Sequence, residues 1–160
     1  MSNRTREPNP LAVRDASIAV TLSTHTTAQF DKTDTTLANV TGLTAPLVNT
    51  KTYGFEATLF VDAAAAGGSK YAITYSGSVT AIKYEIEFLS DATGLVAISS
   101  RQTASAGAAG QTGVTAGKCT IRGCITAGAD GTLTVQFAQN AASGTSSVLT
   151  MSSFTVWPLL

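Results

Sequence analysis

A chain of 160 residues and 16.3 kDa has room for one substantial hydrophobic core and not for two. Only 12% of it is charged, ten basic residues against ten acidic for a formal net charge of zero. That balance, with the basic residues scattered along the chain, argues against the clustered basic face by which a protein displaces counterions from a nucleic acid. It leaves the surface to Thr, Ser, Ala, Gln and Asn, with little electrostatic resistance to self-association. No run of 18 or more apolar residues is present, so no membrane-spanning helix is expected.

The first seventeen residues, MSNRTREPNPLAVRDAS, carry three Arg and two Pro without periodicity. They are expected to form an extended arm, residues 1–17, that orders on a partner. The segment lacks the apolar centre of a secretory signal, so export by that route is not expected. From Ile18 the pattern becomes alternating and a single domain is expected over residues 18–160. In SIAVTLST, Ile18, Val20 and Leu22 alternate with small or polar residues, and TTLANV supplies a second short strand. TGLTAP reads as a loop punctuated by Gly42 and Pro46.

KTYGFEATLFVD is the clearest strand, with Tyr53, Phe55, Ala57, Leu59 and Val61 on one face and Thr52, Glu56 and Thr58 on the other. AAAAGGS is too short to nucleate a helix and reads as a turn. KYAITYS and VTAIKYEIEFLS follow, joined at Ser76-Gly77, then GLVAIS after a turn from Asp91 to Gly94. The Gly- and Ala-rich stretch from Ser100 to Gly117 is long for a compact domain and is expected to be an outer contact loop through Arg101, Gln102 and Gln111. KCTIRGCITA, GTLTVQFAQN and SSVLTMSSFTVWP close the chain. About nine strands without an amphipathic helix make an antiparallel β-sandwich or barrel.

Cys119 and Cys124 point to opposite faces of one strand, about 16 Å apart at roughly 3.3 Å per residue. They cannot pair with each other there, and read as free thiols or as partners in an intersubunit disulfide. Without a His or Cys cluster around them they do not form a metal site. The one histidine, His25, has Asp31 and Asp34 nearby but no strained nucleophile turn. Glu85 and Glu87 would share one strand face with Lys83, a solvated strip, since the carboxylate pair of a glycosidase comes from separate strands. The glycine-rich stretches Gly67–Lys70 and Gly110–Lys118 lead into strands, where a phosphate-binding loop needs a helix. No catalytic residue, cofactor or metal is expected.

The run DGTLTVQFAQNAASGTSSVLTMSSFTVWPL resembles the closing strand pair of virion proteins of tailed bacteriophages, and FDKTDTTLANVTGLTAPLVNTKTYGFEATLFVDAAAAGGSKYAI is similar to the same group. The two stretches lie within Phe30 to Leu160. The resemblance implies a tumour-necrosis-factor-like jelly roll that works as a homotrimer without enzymatic activity. The expectation is then a capsid decoration, cement or head-fibre protein, made in the host cytoplasm and placed on the capsid exterior, with itself and the major capsid protein or another virion protein as partners and neither nucleic acid nor membrane. Arg4, Arg6, Pro8, Pro10 and Arg14 would anchor it. Val135, Phe137, Gln139 and Trp157 would line the trimer, since uncharged polar strands can meet across a symmetric interface without burying charge. The alternative is a tail or fibre-tip module that recognises host glycans through the Ser100 to Gly117 loop.

Overall fold

The structure, a computed structural model, describes residues 21–159. The expected anchoring segment, with Arg4, Arg6, Pro8, Pro10 and Arg14, lies outside the described residues, as does the start of the first strand at Ile18. Among the described residues the regular structure is all strand: β1 (Leu22–His25), β2 (Phe30–Lys32), β3 (Ala38–Leu47), β4 (Thr52–Ala63), β5 (Ser69–Tyr75), β6 (Val79–Ser90), β7 (Val96–Gln102), β8 (Ala108–Gln111), β9 (Ala116–Ala127), β10 (Gly131–Ala138), β11 (Ser146–Val148) and β12 (Ser153–Leu159).

Two antiparallel sheets face one another. The first runs β1-β12-β4-β9-β6-β7, with β11 and β2 continuing it beside the far end of β4; the second runs β3-β10-β5-β8. The chain passes from the second sheet to the first at β3→β4, back at β4→β5 and across again at β5→β6, and β9→β10→β11 repeats the exchange. This wrapping is a β-sandwich of jelly-roll type. Its cause is local: each strand has one apolar side that only an opposing sheet can cover. Phe55, Ala57, Leu59 and Val61 of β4, Ile82, Tyr84, Ile86 and Phe88 of β6, and Leu133, Val135 and Phe137 of β10 are all buried. Tyr71 from the second sheet stacks on Phe88 from the first at 6.0 Å and meets Phe137 at 5.6 Å, which places the core between the layers.

Four local expectations change. TGLTAP is not a loop but the second half of β3. Gly42 adopts φ 88° and lets the strand bulge, and Pro46 is tolerated because β3 is the edge of its sheet. The stretch from Ser100 to Gly117 contains β8, which pairs with β5; small residues hid it, since strand propensity is weak in AAGQ. The last run divides into β11 and β12 around Met151 at φ 64°. The Ser76-Gly77 turn joins strands of different sheets and so closes no hairpin. With β2, β8 and β11 added, the expected nine strands become twelve.

Candidate functional site

Two broad outer faces flank the core, and they differ in chemistry. On the second sheet, the residues of β10 that point away from the core are Thr132, Thr134 and Gln136. Thr134 sits between Thr44 of β3 and Thr74 of β5 in one cross-strand row, and its hydroxyl is 3.1 Å from that of Thr44. Gln136 Nε2 donates to Asn39 Oδ1 at 2.9 Å. Two steps along β10, from Thr134 to Gln136, correspond to five along β3, from Thr44 back to Asn39. The surplus backbone at Val40, Thr41 and Gly42 forms the wall of an open groove of about 540 Å³, floored by the threonines. A Cβ added at Gly42 would approach the His25 carbonyl to 3.0 Å, so the bulge is held against the turn after β1. Among the described residues no charged side chain lines this groove; its polar groups are hydroxyls, amides and backbone, set among threonine methyls and Val40.

The outer face of the first sheet is charged. Strand pairing sets Glu56 of β4, Arg122 of β9, Glu85 of β6 and Arg101 of β7 in one row across four strands. Arg122 Nε lies 3.4 Å from Glu56 Oε2, both side chains well exposed. Such a pair is worth about 0 to 1 kcal/mol. Glu85 and Glu87 are exposed on β6 beside Lys83, the solvated strip expected of them. Two positions along, Thr58, Thr120, Glu87 and Ser99 form a polar row; two further, Phe60, Lys118, Leu89 and Val96 form a largely apolar one. At the opposite end Trp157 covers Gly54, where a Cβ would lie only 2.5 Å from the indole.

The residues expected to line a trimer are dispersed. Val135 and Phe137 are 0% exposed in the chain's own core, because they belong to the inward half of the β10 alternation. Gln139 is also 0% exposed. Its Nε2 donates to the carbonyls of Ser143 and Gly144 at 2.9 and 3.0 Å, and its Oε1 accepts from the Ser143 amide at 3.2 Å. It therefore holds the loop between β10 and β11, and these three side chains have no surface to offer another subunit. Trp157 is half-buried on the other sheet. The residues of β10 that reach solvent are the polar members of the same alternation, and that period-two pattern was the signal for them.

Arg101 and Gln102 lie on β7 in the first sheet and Gln111 on β8 in the second, so the three do not form one loop surface. His25 is exposed at the end of β1. Cys119 is buried and Cys124 exposed, on opposite sides of β9 as expected. Burial, with Glu87 adding to it, pushes the Cys119 thiol well above its ordinary range, and burial does the same to the Tyr71 hydroxyl, which donates to Ser69 Oγ at 2.7 Å. Both stay protonated and face the core. Among the described residues no group of three or more His, Cys, Asp or Glu side chains could hold a metal ion.

No family model matches the chain, and no curated protein sequence matches it. Among solved structures it is similar to the VP2 subviral particle of infectious bursal disease virus, at 9% identity and a TM-score of 0.27, over 90% of this chain and 42% of that one. It is similar also to the Gt strain of the same virus, at 8% identity and a TM-score of 0.25 with the same coverage, and to the Gx strain, at 10% identity and a TM-score of 0.24 over 88% and 40%. The chain spans about two fifths of the length of these structures.

Proposed function

We propose that this chain is a non-enzymatic structural protein of a virion, a homotrimeric capsid decoration or head-fibre protein that sits on the capsid exterior and binds the major capsid protein. The observation that carries the reading is the outer face of the second sheet. A protein surface laid over Thr44, Thr74, Thr134 and Gln136 exchanges hydrogen bonds for those made to water and buries no charge. The sequence resemblance of Asp130 to Leu159 to phage virion proteins points the same way. Residues 1–17, with Arg4, Arg6, Pro8, Pro10 and Arg14, are assigned to anchoring.

The test is to label the chain and locate it in electron micrographs of intact particles, while weighing the purified protein in solution. Label over the capsid faces and a mass of three chains are expected, as is loss of capsid binding when residues 1–17 are deleted. A monomer at micromolar concentration, or binding unaltered by the deletion, refutes the reading.

The groove also favours a second reading, a tail or fibre-tip module for host glycans, because hydroxyls and amides in a concavity of about 540 Å³ suit a neutral sugar. Label at the tail tip, with glycan binding lost in Gln136→Ala, is the outcome that selects it.

A further inference from the structure

The charged row on the first sheet has a property that none of its residues has alone. Read from β4 to β7 it runs Glu56, Arg122, Glu85, Arg101, minus, plus, minus, plus. Read from β7 to β4 the signs are opposite at every position. Only a two-fold axis lays a face onto its own copy. An axis in the plane of contact, parallel to the strands and midway between β9 and β6, sets β4 over β7 of the second copy and β9 over its β6. Glu56 then faces Arg101 of the second copy and Arg122 faces its Glu85, each contact occurring twice.

The same operation preserves position along the strands, so every other row meets itself. Phe60, 43% exposed, is brought against Val96, 50% exposed, and the methylenes of Lys118 against Leu89. Glu87 faces Thr120, Thr58 faces Ser99, and Lys83 faces Cys124. Nowhere in these rows does a like charge meet a like charge. Three of the strands are 12 residues long, about 40 Å at roughly 3.3 Å per residue, and four strands at about 4.8 Å are roughly 19 Å wide. With β7 only 7 residues long, about 23 Å, the face spans about 690 Å², a little below the roughly 800 Å² that each partner of a standard interface buries.

We infer that the outer face of the sheet containing β4, β9, β6 and β7 is an isologous docking surface for a second copy of this chain, in register through Glu56–Arg101 and Arg122–Glu85 contacts between copies. It lies on the opposite side of the sandwich from the uncharged groove and stands independently of the proposed function.

Charge swapping separates this arrangement from pairing within one chain. Arg101→Glu places Glu56 against a new carboxylate in both symmetric contacts. Adding Glu56→Arg restores opposite charges between copies, yet sets like charges side by side within each chain, Arg beside Arg122 and Glu85 beside Glu. Sedimentation velocity of the full chain is expected to show the smallest unit doubling in mass with concentration, less readily at high salt. The dissociation constant should rise about tenfold in Arg101→Glu and return to within about twofold of the parent in the double variant. Thermal melting at dilution verifies that each variant is folded. No doubling up to about 100 μM, which leaves the face to a different partner, overturns the inference; so does a double variant that associates more weakly than the single one.

Discussion

At the scale of single residues, the contact between Trp157 and Gly54 is the one most open to measurement. The chain has one tryptophan, and its ring occupies the space a Cβ at position 54 would take. Gly54→Ala is expected to tip the indole toward water, red-shifting its emission and lowering stability by about 1 to 3 kcal/mol, the usual cost of overpacking; unchanged emission would count against the contact. The two thiols give a second readout. At a dilution that keeps copies apart, a thiol reagent should modify Cys124 rapidly in the folded protein and Cys119 only on unfolding, because one is exposed and the other buried and held protonated. Fast reaction of both would contradict the placement of β9. The opposite facing of these cysteines was legible from their odd spacing alone. The role of Gln139 was not, since an amide that satisfies loop backbone looks the same in sequence as one on the surface.

At the scale of the element, β10 shows what alternation can and cannot say. Its inward residues Leu133, Val135 and Phe137 are those that the period-two pattern selects, and all are fully buried. Phe137→Ala is expected to cost about 3 to 5 kcal/mol in urea denaturation through the cavity left beside Tyr71. Gln136→Ala, on the neighbouring outward position, should cost less than about 1 kcal/mol, for it loses one exposed hydrogen bond to Asn39. Similar losses for the two would invert the faces. The same pattern failed at β3 and β8, where strand identity rests on hydrogen bonds to distant partners. Gly42 and Pro46 are turn residues by local preference, but an edge strand with a bulge accommodates both.

At the scale of the whole molecule, burial of ionisable groups sets the dependence of stability on pH. Cys119, Tyr71, Tyr75 and Tyr84 are all pushed upward, burial being the largest cause in each. The unfolded chain loses these protons near the ordinary thiol and phenol values, about 8.5 and about 10, while the folded chain retains them. Their contribution is therefore present below that range and falls as pH rises through it, by about 1.4 kcal/mol per pH unit for the fully buried Cys119 and Tyr71 and by less for Tyr75 and Tyr84. Asp31, held down by its bonds to Gln29 and Ser147, and Asp34, held down by Lys32 and the Thr36 amide, act in the opposite sense. Their contribution is present above the ordinary carboxylate range and is lost as pH falls below it. Both are exposed, so that effect is small. Urea midpoints should hold level at neutral pH and drop steeply beyond about pH 9; a level course to pH 11 would refute the burial of the thiol and the phenols.

Composition and alternation were enough to establish an all-β antiparallel sandwich or barrel, the side of β4, β6, β9 and β10 that faces inward, and a net charge of zero. These are local properties, because successive side chains of a strand point to opposite sides whatever the strand pairs with. Strand order was decided only by tertiary packing. Glu56, Arg122, Glu85 and Arg101 become a single row, and Thr44, Thr134 and Thr74 another, through pairings between strands far apart in the chain. Register is set where apolar sides must close over one core, and a shift by one residue would turn every side chain to the other face. The chemistry of the two outer faces is therefore a consequence of how the core closes.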